Sequence, residues 1–122
     1  MKKTILVVAL CVASSATWAA TLCGATTPGQ GTAHAVVANM FVKVTFTPKC
    51  SANTKVAFVE SANTAAVGAI STKGNQIFSG HSNGGSVGLP ATNNTCGLTS
   101  ATPCAEGDAT TAAANALTAS SS

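Results

Sequence analysis

Arginine and tyrosine are absent from this 122-residue chain, tryptophan occurs once, and charged residues make up only 7% of it. Each gap excludes something. Arginine carries the planar donor fork on which phosphate and base-edge recognition most depend, so its absence sets nucleic-acid binding aside. With no tyrosine and a single tryptophan, the flat aromatic platform on which sugar rings stack is missing. The cysteines include no CxxC pair, so the tight ligand spacing of structural zinc is not there. No apolar run approaches the roughly 20 residues that a membrane-spanning helix needs.

What is present begins with an address. The opening MKKTILVVALCVASSATWAATLCG has Lys2 and Lys3, an apolar run from Ile5 to Ala13, then small residues. That order is the mark of a Sec signal peptide. Thr17 and Ala19 occupy the positions read by signal peptidase, which predicts cleavage after Ala19 and leaves residues 1–19 outside the fold. Neither Cys11 nor Cys23 follows the small residue that lipid attachment requires, since each follows a leucine. Loss of Lys2 and Lys3 leaves Lys43, Lys49, Lys55 and Lys73 against Glu60, Glu106 and Asp108, a nearly neutral chain whose apparent basicity belongs to export. The expected location is the periplasm, the cell surface or the medium, with no stable membrane insertion once the leader is cut.

Four cysteines then remain, Cys23, Cys50, Cys96 and Cys104. An even number in a short exported chain predicts two disulfides. Three pairings exist; the short loop CGLTSATPC favours Cys96–Cys104, and therefore Cys23–Cys50. Ordering each residue costs roughly 1–2 kcal/mol, and large apolar side chains are few, so the bridges matter. On the chain-entropy estimate they contribute roughly 3.6 and 2.6 kcal/mol for loops of about 28 and 9 residues.

The tetrad SANT occurs at 51–54 and again at 61–64, and the punctuation continues with STKGN (71–75), HSNGG (81–85) and ATNNT (91–95). Polar turn clusters at ten-residue intervals, separated by short β-forming segments, predict an antiparallel meander in an all-β fold, a small sandwich or barrel. Only the first two copies are alike, which favours a hairpin with shared turn chemistry over a solenoid. In FVKVTFT (41–47), Val42, Val44 and Phe46 alternate with Lys43, Thr45 and Thr47, the period of a half-buried strand. The expected strands are about 34–38, 40–47, 55–60, 65–71, 76–80 and 86–89. Gly68, in the middle of AVGAI, predicts either a bulge or the close approach of another backbone. The β domain is thus expected over residues 20–104. The Ala/Ser/Thr-rich remainder, 105–122, reads as a weakly ordered tail or a short helix near 109–119, weakened by Thr110, Thr111 and Asn115.

Groups capable of chemistry are scarce: His34, His81, Glu60, Glu106 and Asp108. His34 reads as a strand-edge residue and His81 as a solvated turn residue, each expected to be dispensable. GHSNG (80–84) matches G-x-S-x-G with Ser82 as nucleophile, but no histidine follows it and GSVGLPATNN is not helical, so the elbow's context is missing. AEGDAT lacks the ligand spacing of a calcium loop. The sequence therefore predicts no enzymatic activity, catalytic residue, metal or cofactor.

From Cys50 to about Gly80 the chain resembles bacterial fimbrial subunits of the chaperone–usher type. The likeness lies in a cysteine followed by a polar turn and the KVAFV strand, Cys50 to Val59, and then the V-G-x-x strand from Val67 to Ile70. It implies a β domain that assembles with like subunits, and it carries over no functional residue. Two readings follow: an exported structural or adhesive subunit, pilin-like or filament-forming, whose partners are itself or other surface proteins; or a monomeric binding module with a small ligand held by the loop at His81, Asn83, Gly84 and Gly85.

Overall fold

The computed structural model describes residues 16–24, 29–84, 87–90, 95–96 and 104–120. Four strands, β1 (Trp18–Cys23), β2 (Thr54–Glu60), β3 (Ala65–Ser71) and β4 (Ile77–His81), form one antiparallel sheet in the order β1-β2-β3-β4, and a helix, α1 (Glu106–Ser120), follows. The meander read from the turn spacing is therefore present. What packs on the sheet, among the described residues, is a helix and not a second sheet.

Both SANT tetrads are turns, each closed by its own hydrogen bonds. The Ser51 and Thr54 hydroxyls meet at 2.7 Å before β2, and Ser61 donates its N–H to the Thr64 carbonyl at 2.8 Å between β2 and β3. The repeat is thus local turn chemistry around a hairpin.

Gly68 explains why the helix lies where it does. The β2–β3 register runs unbroken from Thr54↔Ser71 to Glu60↔Ala65, so there is no bulge at Gly68. A Cβ built there would collide with the Ala109 carbonyl oxygen and lie 2.7 Å from the Ala113 nitrogen. Of the two expectations for this glycine, close backbone approach is the one realised. The helix buries Ala109, Ala112, Ala113, Ala116 and Leu117, an i, i+3, i+4, i+7, i+8 stripe. These residues join Ala57, Val59, Ala66, Ile70, Ile77 and the Cys96–Cys104 bridge in one core. A core of alanine brings backbones close, which is how a chain with few large apolar residues still excludes water.

The C-terminal segment is a 15-residue helix, longer than the expected 109–119. Its start is capped: Asp108 Oδ2 accepts from the Ala105 N–H at 2.8 Å, so the third helical residue reaches back to the residue before the helix. The threonines do not interrupt it. Thr110, Thr111 and Thr118 stand on the exposed side and bond back to the carbonyls four residues earlier, at 3.4, 2.9 and 3.0 Å.

Three expected strands, 34–38, 40–47 and 86–89, are not strands among the described residues. Residues 29–50 form an irregular strap whose halves touch at three places: Gly29 N–H to Cys50 O, Gly31 N–H to Pro48 O, and His34 N–H to Phe46 O, at 3.0, 2.8 and 2.8 Å. The spacing is uneven and Pro48 has no N–H to donate, so no continuous ladder forms. The alternation in FVKVTFT does not mark a buried face either, since Val44 is 71% exposed. The strand expected at 86–89 is reduced to one bridge, Ser79↔Gly88. Conversely, β1 was not expected; it begins within the segment read as leader, pairing Trp18 with Glu60 and Ala19 with Val59. A cut after Ala19 leaves Ala20–Cys23 to hold this edge.

Cys23–Cys50 ties β1 to the end of the strap, with Cα atoms 5.6 Å apart. Cys96–Cys104, at 4.9 Å, sits against the start of α1. The favoured pairing is the one observed.

Candidate functional site

The two faces of the sheet have different characters. Ala57, Val59, Ala66, Gly68, Ile70 and Ile77 face α1, whereas Phe58, Glu60, Val67, Ala69, Phe78 and Gly80 share the opposite face by register. The strap crosses this second face at its β2 side. His34 and Phe46 lie over Phe58, with ring centroids 5.1 and 6.4 Å from it.

Under the strap lies a pair that the sequence reading missed. His34 is not an edge residue: both it and Glu60 are wholly buried, and His34 Nε2 lies 3.3 Å from Glu60 Oε1. The two nitrogens of His34 and Oε1 of Glu60 have no aligned hydrogen bond, so the pair is held by proximity and by its surroundings. The other carboxylate oxygen, Oε2, accepts from the Val42 N–H at 2.9 Å. Glu60 thus fastens the strap through the Val42 backbone on one oxygen, with the His34 imidazole against the other. A sequence signal existed: Glu60 is an acid in phase with Phe58, at the end of the apolar run VAFV. An acid in such a position is buried only with a partner.

The expected ligand loop is distributed among structural tasks. His81 ends β4 opposite Ala66, on the helix face. Ser82 closes the β3–β4 ladder, donating its N–H to Ala65 O and accepting the Ala65 N–H on its hydroxyl at 3.0 Å. The chain turns after Ser82 without entering a helix, so the arrangement of a nucleophile elbow does not form there. Asn83 Nδ2 donates to the Ser120 carbonyl at 3.1 Å, tying the turn to the end of α1. Gly84 has φ of 99°, a left-handed conformation that suits glycine. Gly85 lies outside the described residues.

Asn83 also lines an open cleft of about 430 Å3 at the C-terminal end of α1, with Ser61, Asn63 and Thr64 from the β2–β3 turn and Leu117 and Ser120 from the helix. Thr64 is only 6% exposed. The cleft walls carry amides and hydroxyls and no charged group. Among the described residues, no three His, Cys, Asp or Glu side chains gather where they would hold a metal ion, and no helix is long and apolar enough to cross a membrane.

The chain matches no family model, no curated protein and no solved structure.

Proposed function

We propose that this chain is an exported structural or adhesive subunit of the cell surface, pilin-like or filament-forming, whose partners are further copies of itself or other surface proteins. One observation carries the reading. Of the four phenylalanines, only Phe58 is buried; Phe41, Phe46 and Phe78 are exposed, and Trp18 leaves with the leader. A chain this poor in aromatics, folding as an isolated monomer, would place them inside. Here alanine fills the core and the aromatics stand outside, as they do at surfaces that meet a partner.

Other features support the same reading. The leader-like opening and the two disulfides fit an oxidising compartment outside the cytoplasm. β1 is an edge strand with no charged residue in it, and charge is one of the usual guards against edge-to-edge pairing. The likeness of residues 50–80 to fimbrial subunits adds the same class of assembly. No catalytic role is assigned, and no cofactor.

The test is expression of the full chain in a bacterium, fractionation, and negative-stain electron microscopy of the surface fraction. Oxidised protein in ordered assemblies is the expected result. Reduced, cytoplasmic, unassembled protein would overturn the proposal.

A second reading, a monomeric module for a small neutral ligand, is favoured by one observation, the cleft lined by the uncharged Asn63, Thr64 and Asn83. It predicts that a polyol or amide compound raises the melting temperature of the wild type and not of Asn83→Ala. Equal response of the two proteins across such a panel removes that reading.

A further inference from the structure

We propose that Asn83 is a site of spontaneous deamidation, and that its conversion to aspartate or isoaspartate unties the end of α1 from the turn after β4. The proposal is independent of the self-assembly reading. Asparagine is thermolabile because the backbone nitrogen of the next residue can attack its carboxamide. The Gly84 amide gives its proton to hydroxide, and its nitrogen bonds to Asn83 Cγ. The Cγ–Nδ2 bond then breaks, and Nδ2 leaves as ammonia with a proton from water, which restores the hydroxide. Water opens the resulting succinimide ring at Cγ to leave aspartate, or at the main-chain carbonyl carbon to leave isoaspartate. One water is consumed and one ammonia released, and nothing is oxidised or reduced.

Sequence and structure together single out this position. Of the eight asparagines in the chain, Asn83 alone precedes a glycine, so only here does the attacking nitrogen belong to a residue without a Cβ. Asn83 and Gly84 are both exposed, open to water and hydroxide. Gly84 has left the sheet: the β3–β4 ladder ends with the bonds of Ser82, and nothing lies within 4 Å of where a Gly84 Cβ would be. The leaving nitrogen is also the structural one. Asn83 Nδ2 is the atom that donates to the Ser120 carbonyl at 3.1 Å, and its loss sets a carboxylate against that carbonyl, acceptor facing acceptor. The last turn of α1 carries the negative end of the helix dipole and has no basic residue to offset a new negative charge. Isoaspartate adds a main-chain carbon to the turn as well. The end of α1 therefore loosens, and with it the cleft wall formed by Leu117 and Ser120.

The test is incubation of the oxidised, export-processed protein in neutral buffer made with heavy-oxygen water, followed over days by peptide fragmentation in a mass spectrometer and by melting temperature. Uptake of heavy oxygen at Asn83 is expected to run at least about tenfold ahead of uptake at every other asparagine, a barrier lower by about 1.4 kcal/mol. The aged protein is expected to melt about 4 °C or more below the fresh one, the shift that follows loss of one hydrogen bond in a domain of this size. Freshly made Asn83→Asp is expected to melt at the same lowered temperature. Asn83→Gln, whose longer side chain closes only a less favoured six-membered ring, is expected to hold its melting temperature on ageing. Uptake at Asn83 no faster than elsewhere overturns the site. Fast uptake with an unchanged melting temperature, or equal falls in the wild type and Asn83→Gln, overturns the untying of α1.

Discussion

Glu60→Ala is expected to lose about 3–5 kcal/mol, the cost of removing one member of a buried charged or hydrogen-bonding pair. The substitution strands His34, which has no exposure to water, and deprives the Val42 N–H of its acceptor. It therefore releases the strap as well as emptying a site. A small domain has only about 5–15 kcal/mol in total, so the variant sits near the edge of folding. His34→Ala is expected to be nearly as costly, contrary to the dispensable role that the sequence suggested. The measurement is chemical denaturation without reductant for both single variants and for His34→Leu/Glu60→Leu. An apolar pair replaces a buried ionisable one at little cost, although the Val42 N–H still lacks a partner at about 1–3 kcal/mol. The double variant is expected to be more stable than the sum of the single losses by at least about 1 kcal/mol. Additive losses would show that the two groups are buried side by side without depending on each other.

Gly68→Val is the second large effect, expected at about 3 kcal/mol or more. Overpacking a core typically costs about 1–3 kcal/mol when side chains move aside. Here the obstacle is the Ala109 carbonyl and the Ala113 nitrogen, helix backbone that has no rotamer to change. The helix must lift from the sheet, and Ala109, Ala112, Ala113, Ala116 and Leu117 lose their burial together. The expected signature is a lower denaturation midpoint with loss of helical circular dichroism. Gly88→Ala is the control: a Cβ there has open space, and a change within about 0.5 kcal/mol is expected. A Gly68→Val protein as stable as the control would mean that α1 does not rest on β3.

The sequence made the sheet legible because its information is local. Each turn cluster satisfies its own hydrogen bonds, as Ser51 and Thr54 do, and the strands between them need only be short and β-forming. β2, β3 and β4 therefore lie within a residue or two of where spacing put them. The strap misled for a physical reason: period-2 alternation marks a strand only if a neighbour offers a ladder. Pro48 and the uneven spacing between Gly31 and His34 withhold one. β1 was hidden because its first residues double as a cleavage region. The helix was underrated because propensity omits packing, and most helical stability in proteins comes from the buried face. Gly68 announced that something would approach closely, but not that it would be residues 109–113.

The site was less legible. Neither residue of the His34–Glu60 pair declares the other, being 26 positions apart in the chain. Burial of the pair depends on the strap folding over β2, which no local pattern encodes. The disulfide pairing, by contrast, followed from loop length. The exposed aromatics are the reverse of a sequence signal, since Phe46, on the apolar face of the alternation over 41–47, stands outside.

The central claim is that these outward aromatics serve association. Light scattering coupled to size-exclusion chromatography, on protein exported to a bacterial periplasm and purified without reductant, tests it most directly across a concentration series. The account predicts a mass above that of one chain, growing with concentration and lost only on denaturation. A mass of one chain throughout, with both disulfides formed, would contradict it.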